Sequence, residues 1–138
     1  MSQVAVPDVP VHLQTFLAFD FGLKRTGVAV GNRLLRTATP QATIRAEGQA
    51  RISQAEARVR EWQPDAVVVG VPFHPDGASH DNTVRTLKFA RQLRSRLQLP
   101  VYEVDERYST VEAQASGTSD PDAGAACVIL EQFLRSIS

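Results

Sequence analysis

One acidic residue inside an apolar strand pattern constrains this chain more than any other feature. Phe16-Leu17-Ala18-Phe19 leads directly to Asp20. A glycine turn with two cations follows at Gly22-Leu23-Lys24-Arg25, and Val28-Ala29-Val30 resumes the apolar run. Two such runs joined by a short glycine-containing connection read as a β-hairpin. Aspartate disfavours strands, and a carboxylate in apolar surroundings is costly without a compensating cation or hydrogen bond. Something positive should therefore meet Asp20. Either it pairs structurally with Lys24, Arg25 or the turn, or it is a metal-binding or catalytic carboxylate on the edge of a rigid sheet.

The remaining pattern alternates helices with apolar strands. Strands are expected at Thr15–Phe21, Thr26–Asn32 and, more weakly, Ala38–Ile44, where Pro40 marks an edge or a bend. Ile52, Ala55, Val59 and Trp62 recur at helical spacing over Gln49–Trp62, and Pro64 ends that helix. Ala66–Val71 is a continuous apolar run, typical of a strand buried on both faces. After a loop at Pro72–Asp81, a second helix over Thr83–Leu97 is capped by Asp81 or Asn82. Val101–Asp105 is a strand, Ser109–Ala115 a short helix whose Ser109 and Glu112 fit a capping box, and Pro121–Ser136 a closing helix. The fold class is α/β, a central mixed five-stranded sheet flanked by helices. Strand one should be central, because a lone carboxylate needs neighbours on both sides to fix it.

Residues 1–14 read as a short polar, proline-containing leader, loosely attached, and residues 15–138 as one domain. The leader lacks the basic start and long apolar stretch of a signal peptide, and no apolar run reaches a membrane span. Fifteen Lys and Arg balance fifteen Asp and Glu, so any nucleic-acid binding must come from a local patch. The one cysteine, Cys127, lies in an apolar helix pattern and reads as a small buried hydrophobe; a reducing cytoplasm is the natural setting.

Two further carboxylates stand at element ends. Glu106 follows the strand Val101–Asp105, and Asp122 lies in the first turn of the last helix. The small residues Ala123-Gly124-Ala125-Ala126 allow that helix close to the sheet, which would bring Asp122 toward Asp20. Three converging acids repel one another unless a divalent cation with oxygen ligands resolves the conflict. Each also has a structural explanation. Asp122 suits the positive end of a helix, Asp120 is a plausible N-cap, and Glu106 could pair with Arg107 on the surface.

These residues carry a family resemblance. Asp20-Phe21-Gly22-Leu23-Lys24-Arg25-Thr26-Gly27-Val28-Ala29 resembles the D-x-G-x-K-R-x-G-x-A signature of the YqgF/RuvX family. Val69-Gly70-Val71-Pro72, the run from Asp105 to Ala113, and Asp122-Ala123 with Ala125-Ala126 and Val128-Ile129-Leu130 resemble its other blocks, in the same order. The resemblance implies a ribonuclease-H-like fold related to Holliday-junction resolvases. It implies a nuclease that matures the 5′ end of precursor 16S ribosomal RNA, with Asp20, Glu106 and Asp122 as its metal-binding, catalytic acids. The sequence departs from the pattern at Gly77-Ala78-Ser79 and in the shortened Gln114–Pro121 segment.

Positive charge is concentrated on the second helix. Arg85, Lys88, Arg91, Arg94 and Arg96 occur there without one acid between Thr83 and Leu97, with Arg85, Lys88 and Arg96 on one face. That face is either merely solvated or a phosphate-binding surface. Lys24 and Arg25, with Arg107, are further phosphate-binding candidates, and either His74 or His80 could move a proton. The expected chemistry is hydrolysis of a phosphodiester bond with two Mg²⁺ or Mn²⁺ ions, Asp20 bridging them. The expected partners are precursor rRNA, branched DNA or ribosomal precursor particles, met by a monomer or a homodimer. Alternatives are a resolvase of branched DNA and a catalytically silent nucleic-acid-binding module of the same fold. A nucleotide phosphotransferase fits poorly, because the chain is too short for two lobes.

Overall fold

In the computed structural model, which describes residues 9–72, 81–105 and 121–137, the strand carrying Asp20 lies in the middle of one sheet. β1 (Thr15–Phe21) turns back into β2 (Thr26–Asn32), and β3 (Ala38–Ile44) follows. After α1 (Gly48–Trp62) come β4 (Ala66–Val71), α2 (Asp81–Leu97), β5 (Val101–Asp105) and α3 (Pro121–Ser136). The spatial order is β3-β2-β1-β4-β5. β1, β2 and β3 pair antiparallel, whereas β4 runs parallel to β1 and β5 parallel to β4. The expected mixed sheet and central first strand are therefore present. β3 is an edge strand, which tolerates the missing N–H of Pro40. The short helix expected over Ser109–Ala115 lies outside the described residues.

The two-residue alternation of the strands sorts their side chains into two layers. Phe16, Ala18, Ala29, Ala66 and Val68 pack with Ala126, Ile129, Leu130 and Phe133 of α3. Leu17, Phe19, Val28, Val67 and Val69 pack with Ile52, Ala55 and Val59 of α1 and with Phe89, Ala90 and Leu93 of α2. The Phe133 ring centroid lies 5.4 Å from those of both Phe16 and Tyr102, so one α3 residue spans β1 and β5. Burial of β4 on both faces follows from its position between β1 and β5 with helices on either side.

Residues 9–14 depart from the expectation of a loose leader. Val9 and Leu13 are buried in the α3 layer. Arg33 Nη1 donates to the carbonyls of Pro10 (2.7 Å) and Leu13 (3.1 Å), and its Nη2 to those of Val9 and Ile137. The Asp65 carboxylate accepts the N–H groups of Gln14 (2.7 Å) and Thr15 (3.0 Å). Those two hydrogen bonds hold the Asp65 carboxyl below the usual carboxylate range. Val9, Val11 and Leu13 alternate in the sequence, yet Val11 is exposed, so the local pattern does not indicate which of them the α3 layer takes up.

Candidate active site

Asp20 is clamped by register. It lies opposite Gly27 on β2 and Gly70 on β4, near the end of β1, with the parity of Phe16 and Ala18 that faces α3. Gly27 is fully enclosed because the first turn of α3 rests on it. A Cβ at Gly27 would collide with the backbone carbonyl of Asp122. Gly31, two residues on, is similarly crowded by the Thr37 carbonyl and the Leu130 side chain. Gly27, Ala29 and Gly31 thus form a shallow track along β2 in which α3 lies. The expected approach of α3 to the sheet is present, and small residues on β2 matter to it as much as those on the helix. The result is that Asp122 begins α3 directly above the residue paired with Asp20.

The turn between β1 and β2 completes the site. Gly22 N–H donates to the Arg25 carbonyl at 2.8 Å, closing the hairpin, and a Cβ at Gly22 would stand 2.9 Å from that oxygen. Arg25 Nε lies 3.2 Å from Asp122 Oδ2. This joins the turn to α3 in a pair still open to solvent. Gly22, Leu23, Lys24, Arg25 and Asp122 line a cleft of about 380 Å³ there. Arg25, expected as a partner of Asp20 or of phosphate, therefore has Asp122 as an ion-pair partner.

A residue that sequence reasoning passed over holds this turn in place. Arg51 of α1 is only 3% exposed. Its Nη1 and Nη2 each donate at 2.6 Å, to the carbonyls of Gly22 and Leu23, and its Nε donates to Ala46 at 3.2 Å. The guanidinium also stacks 3.9 Å from the Phe21 ring centroid. Burial lowers its pKa, partly countered by Glu47. The available signal was positional: Arg51 falls on the same helical stripe as Ala55 and Val59, where a charged residue needs partners.

β5 ends at Asp105, opposite Val71 and one residue before Glu106 in the sequence. Glu106, Arg107, His74 and His80 lie outside the described residues. Among the described residues no group of three metal-ligating side chains is assembled. The cations of α2 divide by partner. Arg94 pairs with Glu103 at 2.9 Å and donates to the Val101 carbonyl. Arg96 Nη1 lies 3.0 Å from Glu56 Oε1, and its Nη2 donates to Gln49, tying α2 to α1. Arg85, Lys88 and Arg91 are exposed. No ion pair forms at any of the three among the described residues. Of the three cations expected on one face of α2, Arg96 is thus engaged with α1, whereas Arg85 and Lys88 make no ion pair among the described residues.

The family model described as "RuvX: Holliday junction resolvase" matches residues 14–136. This chain belongs to the RuvX family. A RuvX relative from Polaromonas sp., named "Putative pre-16S rRNA nuclease", is 69% identical over 137 residues, covering 99% of each chain. Among solved structures, the fowlpox virus resolvase in complex with Holliday junction DNA superposes with a TM-score of 0.60 at 9% identity. That match covers 89% of this chain and 98% of the resolvase. Thermus thermophilus RuvC in complex with a Holliday junction substrate gives 0.55 at 17% identity, covering 87% and 93%. Such low identities speak to the fold alone, which is ribonuclease-H-like. Among the described residues of this RuvX chain, no helix is long and apolar enough to cross a membrane.

Proposed function

We propose that this RuvX chain is a metal-dependent endonuclease that cleaves precursor 16S rRNA in the maturation of its 5′ end. The observation that carries the reading is the seating of Asp122 on Gly27, the register partner of Asp20. It commits two of the three family acids to one end of the sheet. Tyr102 and Val104 of β5 pack on the same α3 side of the sheet. Asp20, Glu106 and Asp122 make an oxygen-only donor set of the kind hard cations take, so Mg²⁺ or Mn²⁺ fits. When bound, such ions activate the attacking water and stabilise the departing 3′ oxygen.

The chain's own residues supply the rest. Asp20, on a strand paired on both sides, gives one donor a fixed position. Arg25 neutralises Asp122, and with Lys24 beside it in the same cleft brings positive charge to the reacting phosphate. Arg51 holds the turn that presents both cations. Arg85 and Lys88 contact phosphates further along the strand, giving affinity without sequence choice.

Asp20→Asn tests the reading, since it keeps shape while removing charge. The variant should lose Mg²⁺- or Mn²⁺-dependent cleavage of a precursor 16S rRNA fragment. In EDTA it should melt no lower than the parent, because repulsion between carboxylates is relieved. A drop of several degrees would instead make Asp20 a structural ion-pair partner. The family description favours a second reading, resolution of branched DNA. Parent cleavage of a four-way junction but not of the RNA fragment would establish it. Cleavage of neither would leave a binding module.

A further inference from the structure

A second cleft opens on the other side of the β1–β2 turn. It measures about 540 Å³ and lies between the first turn of α1 and the basic face of α2. It shares Leu23, half-exposed at 50%, with the cleft at Arg25 and Asp122. A strand crossing the turn over Leu23 therefore passes from one cleft into the other.

The walls of this cleft differ in chemistry. On the α2 side stand Arg85 and Lys88, with no ion pair among the described residues, and Gln92 follows on the same helical face. On the α1 side stand Glu47 and Gln49. The floor between them is apolar, with Phe21 held between the Arg51 guanidinium and the Phe89 ring. An anion is welcome on the α2 wall and repelled by Glu47 on the other. Glu47 suits hydrogen-bond donors such as an exocyclic amine or a ribose hydroxyl, while Gln49, whose Oε1 accepts from Arg96, has its amide N–H groups to offer. An apolar floor between amides suits a planar heterocycle. One occupant combines these demands: a nucleotide whose base has left its stack.

Resting on the nuclease reading above, we propose that this cleft holds one unpaired nucleotide of the substrate. Its phosphate lies against Arg85 and Lys88, and its base lies beside Leu23 between Gln49 and Gln92. The substrate is then single-stranded on the α1–α2 side of the bond that is cut. A duplex presents its phosphates on a convex surface and keeps its bases stacked, so it leaves this concavity unfilled.

The experiment compares a short fluorescent oligoribonucleotide with the same sequence annealed as a blunt duplex. Both are bound by the Asp20→Asn variant, so that cleavage does not intrude. Anisotropy should show the single strand bound about tenfold more tightly than the duplex, against the trend set by charge density. Adding Gln92→Glu places a carboxylate in the cleft and should weaken strand binding more than duplex binding, so that the preference is lost with melting unchanged. Arg85→Ala with Lys88→Ala should lower the logarithmic salt slope of strand binding by about 0.7, the value for one phosphate no longer neutralised. Equal affinity for strand and duplex, or a preference that survives Gln92→Glu, would overturn the proposal. Rejection of the nuclease reading is read separately, from cleavage by the parent. A strand preference in a protein that cuts nothing would leave the cleft assignment standing.

Discussion

Gly27 lies so close under the backbone carbonyl of Asp122 that no side chain fits between β2 and the start of α3. The contact is backbone against backbone, so a methyl group at Gly27 cannot be accommodated by turning a side chain. Gly27→Ala should displace the first turn of α3 and destabilise the fold by about 3 kcal/mol, the upper range for overpacking. Metal-dependent cleavage should fall more steeply than stability, because Asp122 moves away from Asp20. A thermal melt and a cleavage assay on the surviving folded fraction check this; an alanine variant that melts and cuts like the parent refutes it.

Arg51 makes a contrasting case, a buried cation held by three carbonyls and an aromatic face. Arg51→Ala should lower stability by roughly 3 kcal/mol, as it strands the Gly22 and Leu23 carbonyls. Arg51→Lys keeps the charge but loses the planar fork, and should recover less than half of the loss. Amide exchange at Gly22 should quicken in both variants, as the turn loosens. Unchanged exchange would assign Arg51 to α1 packing alone.

Asp65 gives the fold a calculable response to acid. Its carboxyl is held below the ordinary 3.8, first by the Gln14 N–H and then by that of Thr15. A carboxylate with a depressed folded pKa stabilises the native state above its unfolded value. That contribution is lost as pH falls through the folded one. The parent should therefore melt higher than Asp65→Ala at neutral pH, and the gap should close below about pH 4. A gap that stays constant down to pH 2 would show that the hydrogen bonds do not depend on the charge.

Cys127 should be inert in the native protein. Burial, with Glu131 adding, pushes its thiol up to about 11, so almost no thiolate exists at neutral pH. Iodoacetamide at pH 8 should label the chain only after denaturant is added. Rapid native labelling would mean that α3 opens from the sheet.

The chain's local patterning determined the elements. Apolar alternation in Thr15–Phe21 and Thr26–Asn32, the continuous run Ala66–Val71 and the spacing of Ile52, Ala55 and Val59 each carry their own period, and the strands fall where those periods place them. The helix starts Gly48 and Asp81 lie one and two residues earlier than the patterning indicates, because terminal turns are polar and lack the period. The ordered motifs also placed Asp20 and Asp122 in a family signature. Tertiary structure decided the relations between distant positions. Gly27 meets Asp122, Arg51 reaches Gly22 across 29 residues, and Arg33 reaches Ile137 across 104. It also decided which cations of α2 are already paired, through Glu56 and Glu103 on other elements. The reason is physical: a period is a property of neighbouring residues, whereas partnership depends on which surfaces the packed sheet and helices bring together.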